Sequence, residues 1–213
     1  MARSSPAARR TRAVESFRTA AECIGPVVPG MSVFAVTRGQ FSMIDAVLHV
    51  LAETGPARVS LWTWTVAEYE IAELSRLRRD TRILSGRLVI DGGARAKNAG
   101  LIAEWRAAFG PESVRYVVTH AKIATVETDR VRVLLRGSMN LNFNPRFEQL
   151  DVTEGGPDFD LVRRIEDELP ILPDSATGAE VYAASNVGDS LTPAQAAAFT
   201  HNRTIQGLKP WNK

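Results

Sequence analysis

The sequence predicts an α/β protein built on a mixed, mostly parallel central sheet with helices on both faces. Short β-rich runs alternate with helical patterns of roughly 10–15 residues, the rhythm of βαβ units. Turn signals punctuate that rhythm, with Gly55 after one helical run and Gly110-Pro111 after another. Beyond Val126 two strands follow one another without a helix between them, which makes the later part of the sheet mixed.

Each element follows from its local pattern. Residues 1–29 read as a basic N-terminal arm, partly disordered, because Arg3, Arg9, Arg10 and Arg12 crowd its start with no acid among them. A short organellar presequence is the alternative; no apolar core of about 7–15 residues follows, so it is not a secretory signal. SVFAVT (32–37) is a short buried strand. Ser42 caps the helix MIDAVLHVLAET, whose apolar residues recur at helical spacing up to Gly55. ARVSLWTWT (57–65) is the next strand, with Trp62 and Trp64 on one face and assigned to the core; base stacking is their alternative role. A helix over 66–79 buries Ile71, Leu74 and Leu77. RILSGRLVI (82–90) returns as a strand and ends in Asp91-Gly92-Gly93, a plain turn or the border of a pocket. A helix covers 96–109. Val114–Val126 is one extended run, followed by strands near 131–135 and 147–153 and an amphipathic helix at 158–169. Beyond Pro173 the composition shifts to Ser, Ala, Gly and Asn. Residues 174–213 therefore read as an extension, with a short helix capped at Thr192, that packs on the domain or on a partner.

At 213 residues the chain is long enough for one well-cored α/β domain with terminal segments. No apolar run approaches the ~20 residues that span a bilayer. The lone Cys23 rules out an intrachain disulfide and a cysteine-rich metal site; it reads as a small buried hydrophobe, and a cytoplasmic location fits. Net charge is only +2, but it is unevenly spread. Arg76, Arg78, Arg79, Arg82 and Arg87 form one basic stretch, Arg130, Arg132 and Arg136 another, and acids gather in Asp151–Glu168. Such segregation suits a phosphate-bearing partner, since guanidinium forks match phosphate oxygens; solvation of a helix face is the plain alternative.

The chemistry gathers in THAKIATVETDRVRVLLRGSMNLNFNPRFE, Thr119–Glu148. On a strand His120 and Lys122 share a face, and a turn near Thr128–Arg130 returns VRVLL to Gly137, beside the histidine. An imidazole, an ammonium, the Ser138 hydroxyl and the Asn140 carboxamide then converge on one point. That set suits a phosphoryl group. Lys122 and Asn140 address its non-bridging oxygens, Gly137 lets the backbone approach, and His120 attacks phosphorus or shuttles a proton. No carboxylate cluster suited to magnesium accompanies them, so neither metal nor cofactor is expected. Arg136 and Asn142 are candidate substrate contacts, and Asn142 and Asn144 serve equally well as loop caps.

His120-x-Lys122, Gly137-Ser138-x-Asn140 and Asn144-Pro145-Arg146-Phe147-Glu148 resemble the motif of the phospholipase D superfamily, which holds nucleases, phospholipases and phosphatidyl-transferring enzymes. The resemblance covers about residues 30–170 in βα order, and its specific part is 118–154. It implies a phospholipase D-like catalytic domain over 30–173. It also implies His120 as the nucleophile of a phosphohistidine intermediate, Lys122 and Asn140 as the phosphate-binding pair, Ser138 as a phosphate-binding or loop-positioning hydroxyl, and Glu148 as the carboxylate that orients a motif histidine. Glu127 stands where the family has aspartate, in a hairpin longer than the family's, which points to a remodelled turn. The family's two-step reaction needs two histidines, and there is one motif. His49 and His201 lack its context and read as ordinary helix and extension residues. The resemblance therefore implies a homodimer whose two His120 side chains face each other across a two-fold axis, as in the single-motif bacterial endonucleases.

The expected activity is a metal-independent phosphodiesterase, a nuclease on DNA more than on RNA. A non-catalytic nucleic-acid-binding or assembly protein on the same fold is the alternative. A phospholipase or phosphatidyl transferase comes third, since lipid-cleaving relatives are larger with two motifs and no interfacial hydrophobic helix is evident.

Overall fold

The computed structural model describes residues 10–15, 19–142 and 145–185. Its strands are β1 (Arg10–Glu15), β2 (Met31–Thr37), β3 (Ala57–Thr63), β4 (Ile83–Asp91), β5 (Val114–Val117), β6 (Lys122–Glu127), β7 (Arg132–Gly137) and β8 (Glu148–Glu154). They form one sheet in the order β1-β2-β8-β7-β6-β3-β4-β5. The helices are α1 (Ala20–Ile24), α2 (Met43–Thr54), α3 (Glu68–Arg79), α4 (Ala99–Phe109), α5 (Pro157–Glu168) and α6 (Gly178–Ala184).

The sheet is mixed, but the expectation that it is mostly parallel is overturned. β1–β2, β3–β4 and β4–β5 pair parallel, whereas β2–β8, β8–β7, β7–β6 and β6–β3 pair antiparallel. Six strands still share one direction. The two reversed strands, β6 and β8, lie inside the sheet, so each makes two antiparallel junctions. Alternation of helix and strand sets a strand's direction but does not choose its neighbours.

Val114–Val126 is likewise two strands in different places. β5 is the far edge, while β6 lies beyond both β4 and β3. Residues 118–121 cross between them.

Alternate residues of β3 face two layers. Val59 and Leu61 join the main core with Val47 and Val50 of α2, Ile71 and Leu74 of α3, and Ile102 and Trp105 of α4. Ser60 and Trp62 face the other way and donate to the wholly buried Glu166 of α5, at 2.5 and 2.7 Å. Arg163 adds a salt bridge to the same carboxylate at 2.8 Å. Trp62 is thus anchored in the α5 layer, and Trp64 is not core: it stands past the end of β3, 46% exposed.

The sheet reaches into the segment read as a basic arm. β1 pairs with β2, and the Arg12 guanidinium donates to the carbonyls of Cys23 and Ile24, the latter at 2.7 Å. Cys23 itself is buried and free. In the extension, Val181 of α6 packs against Gly92. The helix expected at Thr192, and His201, lie outside the described residues. Among the described residues no helix is long and apolar enough to cross a membrane.

Candidate functional site

Because six strands share a direction, their C-terminal ends gather at one end of the sheet, together with the starts of β6 and β8. Open α/β sheets keep ligands at that end. His120 stands there, exposed, on the segment that crosses the ends of β4 and β3. Its backbone is pinned from three sides. The Val118 N–H donates to the Ser185 hydroxyl at 2.8 Å, the Thr119 N–H to the Asp91 carboxylate at 3.0 Å, and the Ala121 N–H to the Thr119 hydroxyl at 3.0 Å. Asp91 also accepts from the Gly93 N–H at 2.9 Å.

His120 and Lys122 therefore do not share a strand, contrary to the alternation argument, yet their side chains meet. The Lys122 ammonium lies 2.8 Å from Nδ1 and 3.1 Å from Nε2 of His120, and donates to the His120 carbonyl at 2.6 Å. A charged lysine has only donors to offer, so it bonds a ring nitrogen only where that nitrogen carries no proton. Lys122 is 5% exposed. Burial pushes its pKa below the ordinary lysine value, and the nearby Glu148 charge opposes that shift.

The partner strands complete the group. Gly137 pairs with Lys122 on one side and Leu150 on the other. A Cβ there would lie 2.2 Å from the Gln149 carbonyl oxygen, so only glycine lets β7 approach β8. The Ser138 hydroxyl donates to the Glu148 carboxylate and accepts from the Gln149 N–H at 2.9 Å. The described residues show no hydrogen bond from Glu148 to His120. Past Ser138, the buried Oδ1 atoms of Asn140 and Asn142 find no partner among the described residues. Leu141 between them ties the loop down, bridging Val66 and donating its N–H to the Thr63 hydroxyl at 3.3 Å. Asn144 lies outside the described residues.

Two residues of the motif segment stand apart. Arg136 projects from the opposite face of β7 and pairs with Asp158 at 2.8 Å. Glu127 ends β6, about 17 Å along the strand from Lys122. It pairs there with Arg58 and Arg163 at 3.5 and 3.6 Å, beside a cavity of about 500 Å³ that Arg87 and Arg115 also line. The acid of the remodelled turn is thus remote from His120.

Two residues outside the motif also stand at the site: Asp91, read from sequence as a plain turn or the border of a pocket, and Trp64, read as core with base stacking as its alternative. Asp91 holds the His120 segment, a role foreshadowed only by its place at a strand's C-terminal end. Trp64 stands beside the histidine, with ring centroids 6.4 Å apart and planes at 44°. Across the same end Arg38 lies over the exposed Phe147, 5.2 Å from its centroid. Among the described residues no three His, Cys, Asp or Glu side chains gather as a set that could hold a metal ion.

No family model matches the chain, and no curated protein matches it. Among solved structures it is similar to TrmBL2, an archaeal chromatin protein described as showing a novel mode of DNA binding. The identity is 10% and the TM-score 0.42, over 70% of this chain and 55% of that one. The chain thus spans about half the length of that structure.

Proposed function

We propose that this protein is a phosphodiesterase of the phospholipase D type, a nuclease that cleaves DNA or RNA through a phosphohistidine on His120 in a homodimeric site. The observation that carries this reading is the exposed His120 ring held against a desolvated ammonium at the C-terminal end of the sheet. In the first step the unprotonated imidazole nitrogen attacks phosphorus and the bond to the leaving strand's oxygen breaks. That oxygen takes its proton from His120 of the partner subunit, and water then releases the phosphate from the enzyme. Lys122 and the N–H groups of the Asn140 carboxamide attract the oxygens on which charge accumulates.

The expected result is cleavage of plasmid or single-stranded DNA in EDTA, abolished by His120→Ala, from a protein with the solution mass of a dimer. Wild-type activity that appears only with added Mg²⁺, or full activity from a strict monomer, sinks the reading.

One observation favours a non-catalytic nucleic-acid-binding role: Glu148 is engaged by Ser138, so His120 lacks the carboxylate expected to orient it. In that case no diester turns over, while Lys122→Ala weakens binding and reduces its salt dependence.

A further inference from the structure

Trp64 is a large aromatic side chain that the fold leaves half exposed beside His120. Its setting is rigid. The Thr63 hydroxyl, fully buried, donates to the Thr65 carbonyl at 2.6 Å and accepts the N–H groups of Thr65 and Leu141, each at 3.3 Å. Thr65 in turn reaches Asn98 at 3.4 Å. The turn that presents Trp64 is therefore stitched to the Gly-Ser-x-Asn loop on one side and to the start of α4 on the other.

A turn fixed in this way presents the indole as a stacking surface before any ligand arrives. The 6.4 Å between the Trp64 and His120 rings matches the scale on which a nucleotide separates its base from its phosphate. Within a duplex both faces of a base are covered by its neighbours, so only an unpaired base offers one to the indole. Stacking of this kind does not select sequence, because every base has a π-face.

We propose that Trp64 forms a base-binding subsite for unpaired nucleic acid, seating a base next to the phosphodiester held by His120 and Lys122. This rests on the phosphodiesterase reading and names its substrate class, single-stranded nucleic acid. Trp64 acts in binding; it takes no part in proton or phosphoryl transfer.

The test compares wild type, Trp64→Ala and Trp64→Phe on a single-stranded oligonucleotide, its duplex, and a strand of abasic residues of equal length. Wild type is expected to prefer the single strand. Trp64→Ala should lower kcat/KM on it by about 5- to 150-fold, with Trp64→Phe recovering most of the loss and the abasic strand unaffected. Equal loss on the abasic and normal strands, no loss on either, or a wild-type preference for duplex overturns the subsite. A shift of solution mass in Trp64→Ala also overturns it, by assigning the indole to a subunit contact. Binding of the same probes by His120→Ala, followed by fluorescence anisotropy, separates the two ideas. Absence of cleavage by wild type removes the phosphodiesterase, whereas loss of the single-strand ranking in binding removes the subsite.

Discussion

Lys122 carries a charge that its surroundings disfavour. Its pKa is depressed by burial, so in the window just below the ordinary lysine value of 10.5 the unfolded chain holds more protons than the folded one. Stability therefore rises as pH climbs through that window, and this contribution is lost as pH falls below the depressed value. Lys122→Met, which keeps the length and removes the charge, should flatten the rise; denaturant midpoints measured from pH 8 to 10.5 check it. A wild-type curve no steeper than the variant's contradicts the assignment. If Lys122 binds phosphate as proposed, the same depression makes that affinity fall off sooner, as pH rises, than for an ordinary lysine. At this scale the sequence was informative about His120 and Lys122, whose short spacing brings them together whatever the backbone does between them. It misled about Trp64. The alternation of ARVSLWTWT continues two residues beyond the strand, and one of the hydrogen bonds on Thr63, where β3 ends, comes from Leu141, far away in sequence.

Gly137 shows how an element constrains a site without any chemistry of its own. Its missing side chain is what lets β7 lie against the Gln149 carbonyl, placing Ser138 beside Glu148. Gly137→Ala should cost about 1–3 kcal/mol, the scale of overpacking, and lower activity as β7 shifts from β8. Chemical denaturation and a turnover assay together check this; full stability in the variant would show that the strands can part freely. Among the elements, helices were legible from spacing: α2 begins at Met43 after Ser42 as its pattern requires. The helix expected from residue 96 starts at Ala99, because a single 3-10 turn over Gly92–Ala94 comes first and Asn98 donates from its side chain to the Ala94 carbonyl at 2.7 Å. Strand partners were not legible. β6 and β8 are placed by long-range pairing with β3 and β2, which no local pattern encodes.

Across the whole molecule, the segment after α5 is fastened to the sheet by a buried phenol. Tyr116 of β5 donates to Asp174 at 2.5 Å, and Arg106 of α4 pairs with the same carboxylate at 3.0 Å. Burial, then the bond to Asp174, pushes the Tyr116 pKa up to about 12. The folded state keeps a proton that the unfolded chain sheds near pH 10, so this stabilisation is complete below pH 10 and lost as pH rises toward 12. Tyr116→Phe should lose that part of the alkaline decline. Absorbance at 295 nm should show a tyrosine that titrates late; ionisation of every tyrosine near pH 10 would refute the buried assignment.

The order of the strands has a mechanical consequence for the histidine. From Val117 to Lys122 the chain must clear two intervening strands, a lateral distance of about 14 Å, with five Cα steps that reach at most about 17 Å. The crossing has little slack, like a guy line over the sheet's rim, and the imidazole rides on it. One added glycine after Ala121 should leave the melting temperature nearly unchanged yet slacken the line and cut turnover. Removing Ala121 leaves too little chain for the span, so β6 must slip its register against β3 or detach.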